Sequence, residues 1–429
     1  MSYPINQAIT YTAVAVTTGL PSSSFTYAWT FDDATNATVD TYAKTWASAG
    51  SHLATVMATD TVTGATATAT KTIVVKDWST LTWVSTGINM FPLSSAAATG
   101  FAPWANKLIS IGNFLINPVD YYAQQSIVAY DIVNNIRYQT DTGFNIDVGV
   151  AITEGVNVGK MLFTIQGSTV CKLYDPTTRI ITTATTAKPT VPYANVGVRQ
   201  SVAIGPNGTY YFHGRNNINV DQSFERYNSL TDTWTTLTAS SVSVTEGSTE
   251  LFHTGGKILI LNHANTLTYL YDVIGGSWSA GPTSPLGVVA TGNAQFTLTD
   301  TGYIVGMNGL SATAKMYSWK LGDASFTAGI SLFPLASVNA SANGVREHTP
   351  IALPGGFIVF VNGNETAPVA DVSCLKTVFY TGVGGDAFVV GTNFLTAIPG
   401  ARVMTAYASG KIWRCIQSGG NMTLEYMVW

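Results

Sequence analysis

The chain has 429 residues, of which only 10% are Asp, Glu, Lys or Arg, against about 25% in ordinary soluble proteins; 46% are hydrophobic and 11% aromatic. That apolar content argues against a disordered chain, and a net charge of −4 with no Lys or Arg cluster removes the electrostatic footprint of a nucleic-acid binder. No stretch approaches the about 18 uncharged apolar residues of a membrane-spanning helix, so no membrane insertion is expected.

The amino-terminal MSYPINQAITYTAVAV lacks the basic start and long apolar core of a secretory signal, which points to synthesis in the cytoplasm without export by that route. Ile9, Tyr11, Ala13 and Ala15 alternate with Thr and Val, and Phe25, Tyr27, Trp29 and Phe31 keep the same period of two. This puts one row of side chains on a buried sheet face. Residues 51–60 alternate again, and a turn ending at Gly64 leads into ATATATKTIVV, the signature of a hairpin. Residues 1–76 therefore read as a small β-sandwich.

These residues resemble the PKD family of immunoglobulin-like domains: Tyr27-Ala28-Trp29-Thr30-Phe31-Asp32-Asp33, then Gly50, Ala58-Thr59-Asp60, Gly64 and Ile73-Val74-Val75. Asp33 stands where that family has Gly between two acidic residues, and Lys44 and Trp46 replace its His-x-Tyr pair. The resemblance implies a spacer or adhesion module with Trp29 in its core. Only Lys76 and Asp77 separate this domain from the strand beginning at Trp78, so a second domain is expected over residues 77–429.

Over that second region one phrase recurs seven times, a turn with Gly or Asn, an apolar run and a small polar cluster: NKLISIGN from Asn106, then copies from Gly159, Gly208, Gly256, Gly302, Gly356 and Gly410. The copies start 53, 49, 48, 46, 54 and 54 residues apart, close to the period of propeller repeats of roughly 50 residues. A second phrase of strand, turn and strand follows the first six copies, centred on Tyr130, Tyr174, Tyr227, Tyr271, Tyr317 and Tyr380. An aromatic before the turn is expected to face a residue after it across adjacent strands. Each repeat then holds four strands.

The combination is similar to kelch repeats, with Tyr227 and Trp234, and Tyr271 and Trp278, at the family spacing; Arg137, Ile181, Ala324 and Ala387 take the Trp position elsewhere, with Phe326 and Phe388 nearby. The resemblance implies a fold and no activity. The last repeat ends at Trp429 after three strands, and LTWVSTGINMFP from Leu81 has the pattern of the missing outer strand. The expected fold class is all-β: an N-terminal Ig-like β-sandwich plus a seven-bladed kelch-like β-propeller closed by an N-terminal strand, which leaves no open sheet edge in the ring.

Motifs for chemistry are sparse. His52, His213, His253, His263 and His348 fall in different repeats without metal-ligand spacing, and neither GxSxG, a P-loop nor a dinucleotide fingerprint occurs. No local motif marks the Tyr, His and Cys set of galactose-oxidase-like copper chemistry. No catalytic residue, metal or cofactor is expected. Cys171, Cys374 and Cys415 are odd in number and far apart, and read as buried thiols.

Recognition is easier to place. The long loops FLINPVDYYAQQ from Phe114, RNNINVDQ from Arg215 and NETAPVADVS from Asn364 are candidate contact surfaces, with Tyr121 and Tyr122 as amphipathic area. Arg199, Arg346 and Arg402 open innermost strands and point toward the central channel of a kelch-like fold, and Arg346-Glu347-His348 is the densest ionisable cluster. Their bland alternative is bonding to neighbouring blade carbonyls.

The leading expectation is a non-enzymatic structural or adhesion protein of a bacteriophage virion, as a tail, fibre or capsid-surface component present in many copies. Its partners would be other virion proteins through the sandwich and host glycan or protein through the propeller. The alternatives are a bacterial surface or secreted glycan-binding adhesin and a glycan-active enzyme.

Overall fold

The computed structural model describes residues 2–16, 24–90, 108–117, 126–191, 201–215, 222–239, 249–262, 267–285, 296–307, 315–332, 349–361, 376–383, 386–393, 402–418 and 421–429. The chain divides into two compact units, residues 1–81 together with Trp429, and residues 82–428. Apart from one turn of 3-10 helix at Trp78–Thr80, the regular structure is β.

In the first unit, β1 (Ser2–Pro4), β2 (Ala8–Thr12), β3 (Phe25–Phe31), β4 (Asn36–Ala37), β5 (Thr41–Thr45), β6 (Gly50–Asp60) and β7 (Thr66–Lys76) form two sheets. One has the order β1-β7-β6-β3-β4 and the other pairs β2 with β5. Alternation along β2 buries Ile9 and Tyr11, which join Trp46 against Trp29, Phe31, Ala54, Ile73 and Val75 of the larger sheet. The Tyr11 ring lies 5.7 Å from Trp29 and 5.5 Å from Phe31, both edge-on, the geometry favoured by aromatic quadrupoles. Trp29 is core, and its indole N–H donates to the Val39 carbonyl at 2.8 Å. At the far end of the larger sheet, the Asp60 carboxylate accepts from the backbone N–H groups of Val62 and Thr63, and Gly64 adopts φ +71° to close the β6–β7 hairpin.

The second unit opens with β8 (Trp83–Asn89) and continues as seven four-stranded antiparallel sheets. The first holds β9 (Ile109–Ile111), β10 (Phe114–Asn117), β11 (Ser126–Asp131) and β12 (Ile136–Asp141). The second holds β13 (Ile146–Ala151), β14 (Met161–Ile165), β15 (Cys171–Asp175) and β16 (Ile180–Thr183). The third holds β17 (Ser201–Ile204), β18 (Thr209–Arg215), β19 (Gln222–Asn228) and β20 (Thr233–Thr236), and the fourth β21 (Thr249–Thr254), β22 (Lys257–Asn262), β23 (Thr268–Asp272) and β24 (Ser277–Ala280). The fifth holds β25 (Phe296–Leu298), β26 (Tyr303–Met307), β27 (Lys315–Lys320) and β28 (Thr327–Leu332). The sixth holds β29 (Thr349–Leu353), β30 (Phe357–Val361), β31 (Lys376–Tyr380) and β32 (Phe388–Asn393).

In the seventh, β33 (Arg402–Ala408), β34 (Lys411–Ser418) and β35 (Asn421–Val428) are followed in space by β8, so the segment after Leu81 does pair with the last strand of the chain. Tyr426 opposes Val84 and Met427 opposes Trp83, and the Thr86 hydroxyl donates to the Leu424 carbonyl at 2.8 Å. First strands of successive sheets are neighbours: β9 with β13, β13 with β17, β17 with β21, β25 with β29, β29 with β33, and β33 with β9. Apolar clusters fill the space between sheets, as where Leu115, Val128 and Tyr130 of the first meet Met404, Trp413 and Leu424 of the seventh.

The turn from first to second strand in every sheet carries a glycine in the left-handed region one or two residues ahead of the second strand: Gly112, Gly159, Gly208, Gly256, Gly302, Gly356 and Gly410, with φ from +54° to +83°. This sets the phase of the repeat and corrects the expected start of the first copy. NKLISIGN spans β9, a first strand, whereas the other six phrases span second strands; the matching phrase is GNFLIN from Gly112.

The third-to-fourth-strand turn has its own chemistry. Asp131, Asp175 and Asp272, each directly after the buried Tyr, accept from two backbone N–H groups of the turn. Asn135, Arg179, Asp232 and Gly276 then take positive φ at the turn's end. The Tyr130 hydroxyl donates to Asn135 at 2.8 Å and that of Tyr227 to Asp232 at 2.7 Å, so the ring that packs the sheet also ties down the turn. In the fifth sheet Trp319 fills this role rather than Tyr317, its indole donating to the Asp323 carbonyl at 2.9 Å. In the sixth, Phe388 rather than Ala387 stands opposite Tyr380.

Candidate functional site

Charged side chains in so weakly charged a chain are the natural place to look for chemistry, and the second unit buries several. Lys188 follows β16, where its backbone N–H is held by the Thr169 carbonyl at 2.8 Å. Its ammonium forms an ion pair with Glu225 of β19, both side chains having no exposed surface. Thr190 bridges them, accepting from Lys188 at 3.0 Å and donating to Glu225. The sequence puts Glu225 at this point because alternation along β19 turns Phe224 toward the fourth sheet and Glu225 and Tyr227 toward the second. Cys171, in the same cluster as Tyr227, has its thiol pushed up to about 12 by burial, which favours the protonated form.

A second pair lies in the seventh sheet, where Arg414 of β34 stands opposite Glu425 of β35 at 3.5 Å, with Thr405 of β33 in the same row. Burial draws the Arg414 guanidinium down to about 9 despite the carboxylate beside it. Trp83 of β8 donates its indole N–H to Thr377 of β31 at 2.8 Å and so ties the seventh sheet to the sixth. His213 of β18 is fully buried opposite Phe224, and desolvation lowers it to about 4, so it is neutral at physiological pH. Burial pushes Cys415 up as well.

Of these contacts, Arg414–Glu425 joins strands within one sheet, and Lys188–Glu225 and Trp83–Thr377 join sheet to sheet. So do Asp386, whose carboxylate accepts from the Tyr380 hydroxyl at 3.0 Å and from the Ile330 and Ser331 N–H groups of the fifth sheet, and Asp300, which accepts from Gly355 and Gly356 of the sixth at 2.7 Å each. Among the described residues, no group of three or more His, Cys, Asp or Glu is placed to hold a metal.

Of the candidate recognition residues, Tyr121, Tyr122, Arg199, Arg346, Glu347 and His348 lie outside the described residues. Arg402 is the first residue of β33, in register with Gln417. Arg215 is a correction: it is not a loop residue but the last of β18, in register with Gln222, because the ladder with β19 runs two pairs past Ser201↔His213. It lies at the end of its sheet where the inner strand begins, as Arg402 does in its own, but the two belong to different sheets. Sequence reasoning passed over Asp147 and Glu250, the second residues of the inner strands β13 and β21. Asp147 is buried and accepts from the Thr164 hydroxyl at 3.1 Å. An acidic residue at the head of an apolar strand was the available signal.

No protein-family model and no curated protein matches the chain. Solved structures do. An oligogalacturonate lyase from Vibrio parahaemolyticus aligns over 89% of this chain and 98% of its own, with TM-score 0.52 at 9% identity. A quinonprotein alcohol dehydrogenase-like protein from Bacteroides thetaiotaomicron covers 100% and 95% with TM-score 0.43 at 10% identity, and TolB from Acinetobacter baumannii covers 89% and 77% with TM-score 0.37 at 11% identity. The fold is of the β-propeller type. At such identity the likeness is one of backbone arrangement, and activity has to be argued from this chain's own residues.

Proposed function

We propose that this chain is a non-enzymatic structural or adhesion component of a bacteriophage particle, made in the host cytoplasm and assembled in many copies. In this reading the seven sheets are the blades of one closed kelch-like propeller, with β8 completing the seventh, and the first unit is a PKD-type immunoglobulin-like sandwich that anchors or spaces it. The observation that carries the proposal is how the described polar groups are used. Lys188 with Glu225, Arg414 with Glu425, Asp300 and Asp386 bind strand to strand and sheet to sheet. This is the chemistry of a rigid scaffold. Low charge and a Thr-, Ala- and Gly-rich β composition accord with a part that packs among other proteins.

Recognition of host glycan or protein is assigned in this reading to the sequence positions at or just before the inner strands, Arg199, Arg346-Glu347-His348 and Arg402. Mass spectrometry of purified particles should find the chain at a fixed, multicopy stoichiometry, and its absence overturns the assignment to a virion. A glycan array then separates roles. Binding lost on Arg346→Ala or Arg402→Ala supports recognition through the inner-strand ends, and no binding leaves an architectural part.

A further inference from the structure

The hairpin of β6 and β7 outruns the core that covers its base. The two-stranded sheet of β2 and β5 packs over the end of the larger sheet that holds Ala54, Ile73 and Val75, and beyond it every residue from Thr61 to Thr72 is exposed. Both faces of β7 therefore meet solvent from Thr66 to Thr72. On its inner side β7 pairs with β6 from Thr66 to Val75. On its outer side β1 covers only Val74, Val75 and Lys76, and among the described residues no other strand pairs with that edge. An open edge of this length is a template for another strand, and natural proteins usually blunt it with Pro, a bulge or several charges. Here the sequence is TATATKT, with one Lys.

We propose that this edge is a self-association site, where β7 of a second copy of the chain adds antiparallel about a two-fold axis at Ala69. The occupant follows from the strand's own symmetry. Turned about Ala69, Thr66 meets Thr72, Thr68 meets Thr70, Ala67 meets Lys71 and Ala69 meets itself. Directly opposed residues in an antiparallel pair share a face, so Thr rows meet Thr rows on one face, where cross-strand Thr pairs are favourable, and small residues meet on the other. The charge is placed to match. Each Lys71 stands opposite an alanine, and the two ammonium groups are offset by four residues, about 13 Å along the strands, beyond the Debye length of about 8 Å at physiological salt. The interface is isologous, the commonest closed symmetry, and joins the two hairpins into one continuous sheet.

Light scattering of the whole chain over a concentration series should show a monomer–dimer equilibrium. Ala69→Lys, an exposed change that sets like charges face to face, should weaken it about fivefold. Cysteine substitution reads the register directly. Opposed Cβ atoms lie about 4.5–5.5 Å apart, within a small backbone adjustment of the about 3.5–4.5 Å of a disulfide, so Ala69→Cys should yield a covalent dimer under mild oxidation and Ala67→Cys should not. Both variants share the chain's three native cysteines, which makes each the control for the other. A chain that stays monomeric at its highest soluble concentration, a dimer indifferent to Ala69→Lys, equal cross-linking of the two cysteine variants, or uptake of another protein's strand at this edge by a monomeric chain would each overturn the proposal.

Discussion

The two units differ in how deeply they bury an ammonium–carboxylate pair, although the second unit also carries a solvated one, Lys257–Asp272. In the first, Lys44 lies over the Trp46 ring and pairs with Asp33, whose side chain is 43% exposed. In the second, Lys188 and Glu225 are wholly removed from water. An ammonium–carboxylate pair thus keeps its carboxylate in water in one unit and lies wholly inside a stack of sheets in the other. The lesson concerns the cost of breaking it. A solvated charge that loses its partner turns to water, whereas a buried one has nowhere to turn.

The largest expected effect is at Glu225. Glu225→Ala strands the Lys188 ammonium in an apolar stack and should cost about 3–5 kcal/mol of stability in denaturant unfolding, whereas Lys188→Met combined with Glu225→Leu should restore most of it. If the single and double variants unfold alike, the pair does not act as a unit. Next comes acid. His213 titrates near 4 in the fold and near its ordinary 6.5 when unfolded, so between those values the unfolded chain binds the extra proton. Stability is therefore full above about pH 6.5 and falls by up to about 3 kcal/mol as the pH drops to 4. His213→Phe should flatten that part of the profile, measured by urea midpoints across the range.

Smaller is Tyr227→Phe, which keeps the ring and removes the hydroxyl bond to Asp232; about 1 kcal/mol is expected from thermal unfolding. Smallest is Lys44→Met in the first unit, with a loss below about 1 kcal/mol because its partner is solvated. Its clearer signature is in NMR titration. The Lys44 ammonium holds the Asp33 carboxyl at about 2, and removing it should return Asp33 toward the ordinary carboxylate range. The stability from that pair is present above the ordinary value and lost as pH falls toward 2. A Lys44→Met penalty equal to that of Glu225→Ala would erase the contrast between the units.

Much of the fold was legible because its signals are local. Glycine marks a backbone conformation that side chains disfavour, so six of the seven turn glycines announce the repeat, and only Gly112 is passed over for Asn106. The Tyr-Asp phrase encodes a turn within six residues, and two-residue alternation gave the aromatic face of β3 and the burial of Trp29. The site was less legible. Arg402 could be placed at a strand head from its phrase, but Arg215 read as loop because the strand runs on through a segment without apolar alternation.

What the sequence determined by itself is the all-β character, the repeat period and the strand that returns to pair with the last one, since each rests on turn chemistry and periodicity within a few neighbouring residues. Tertiary structure decided the phase of the first repeat, the choice of Trp319 over Tyr317, and the meeting of Lys188 with Glu225. Those outcomes depend on which sheet faces stack on one another, and stacking brings together residues dozens of positions apart that carry no mark of their partners.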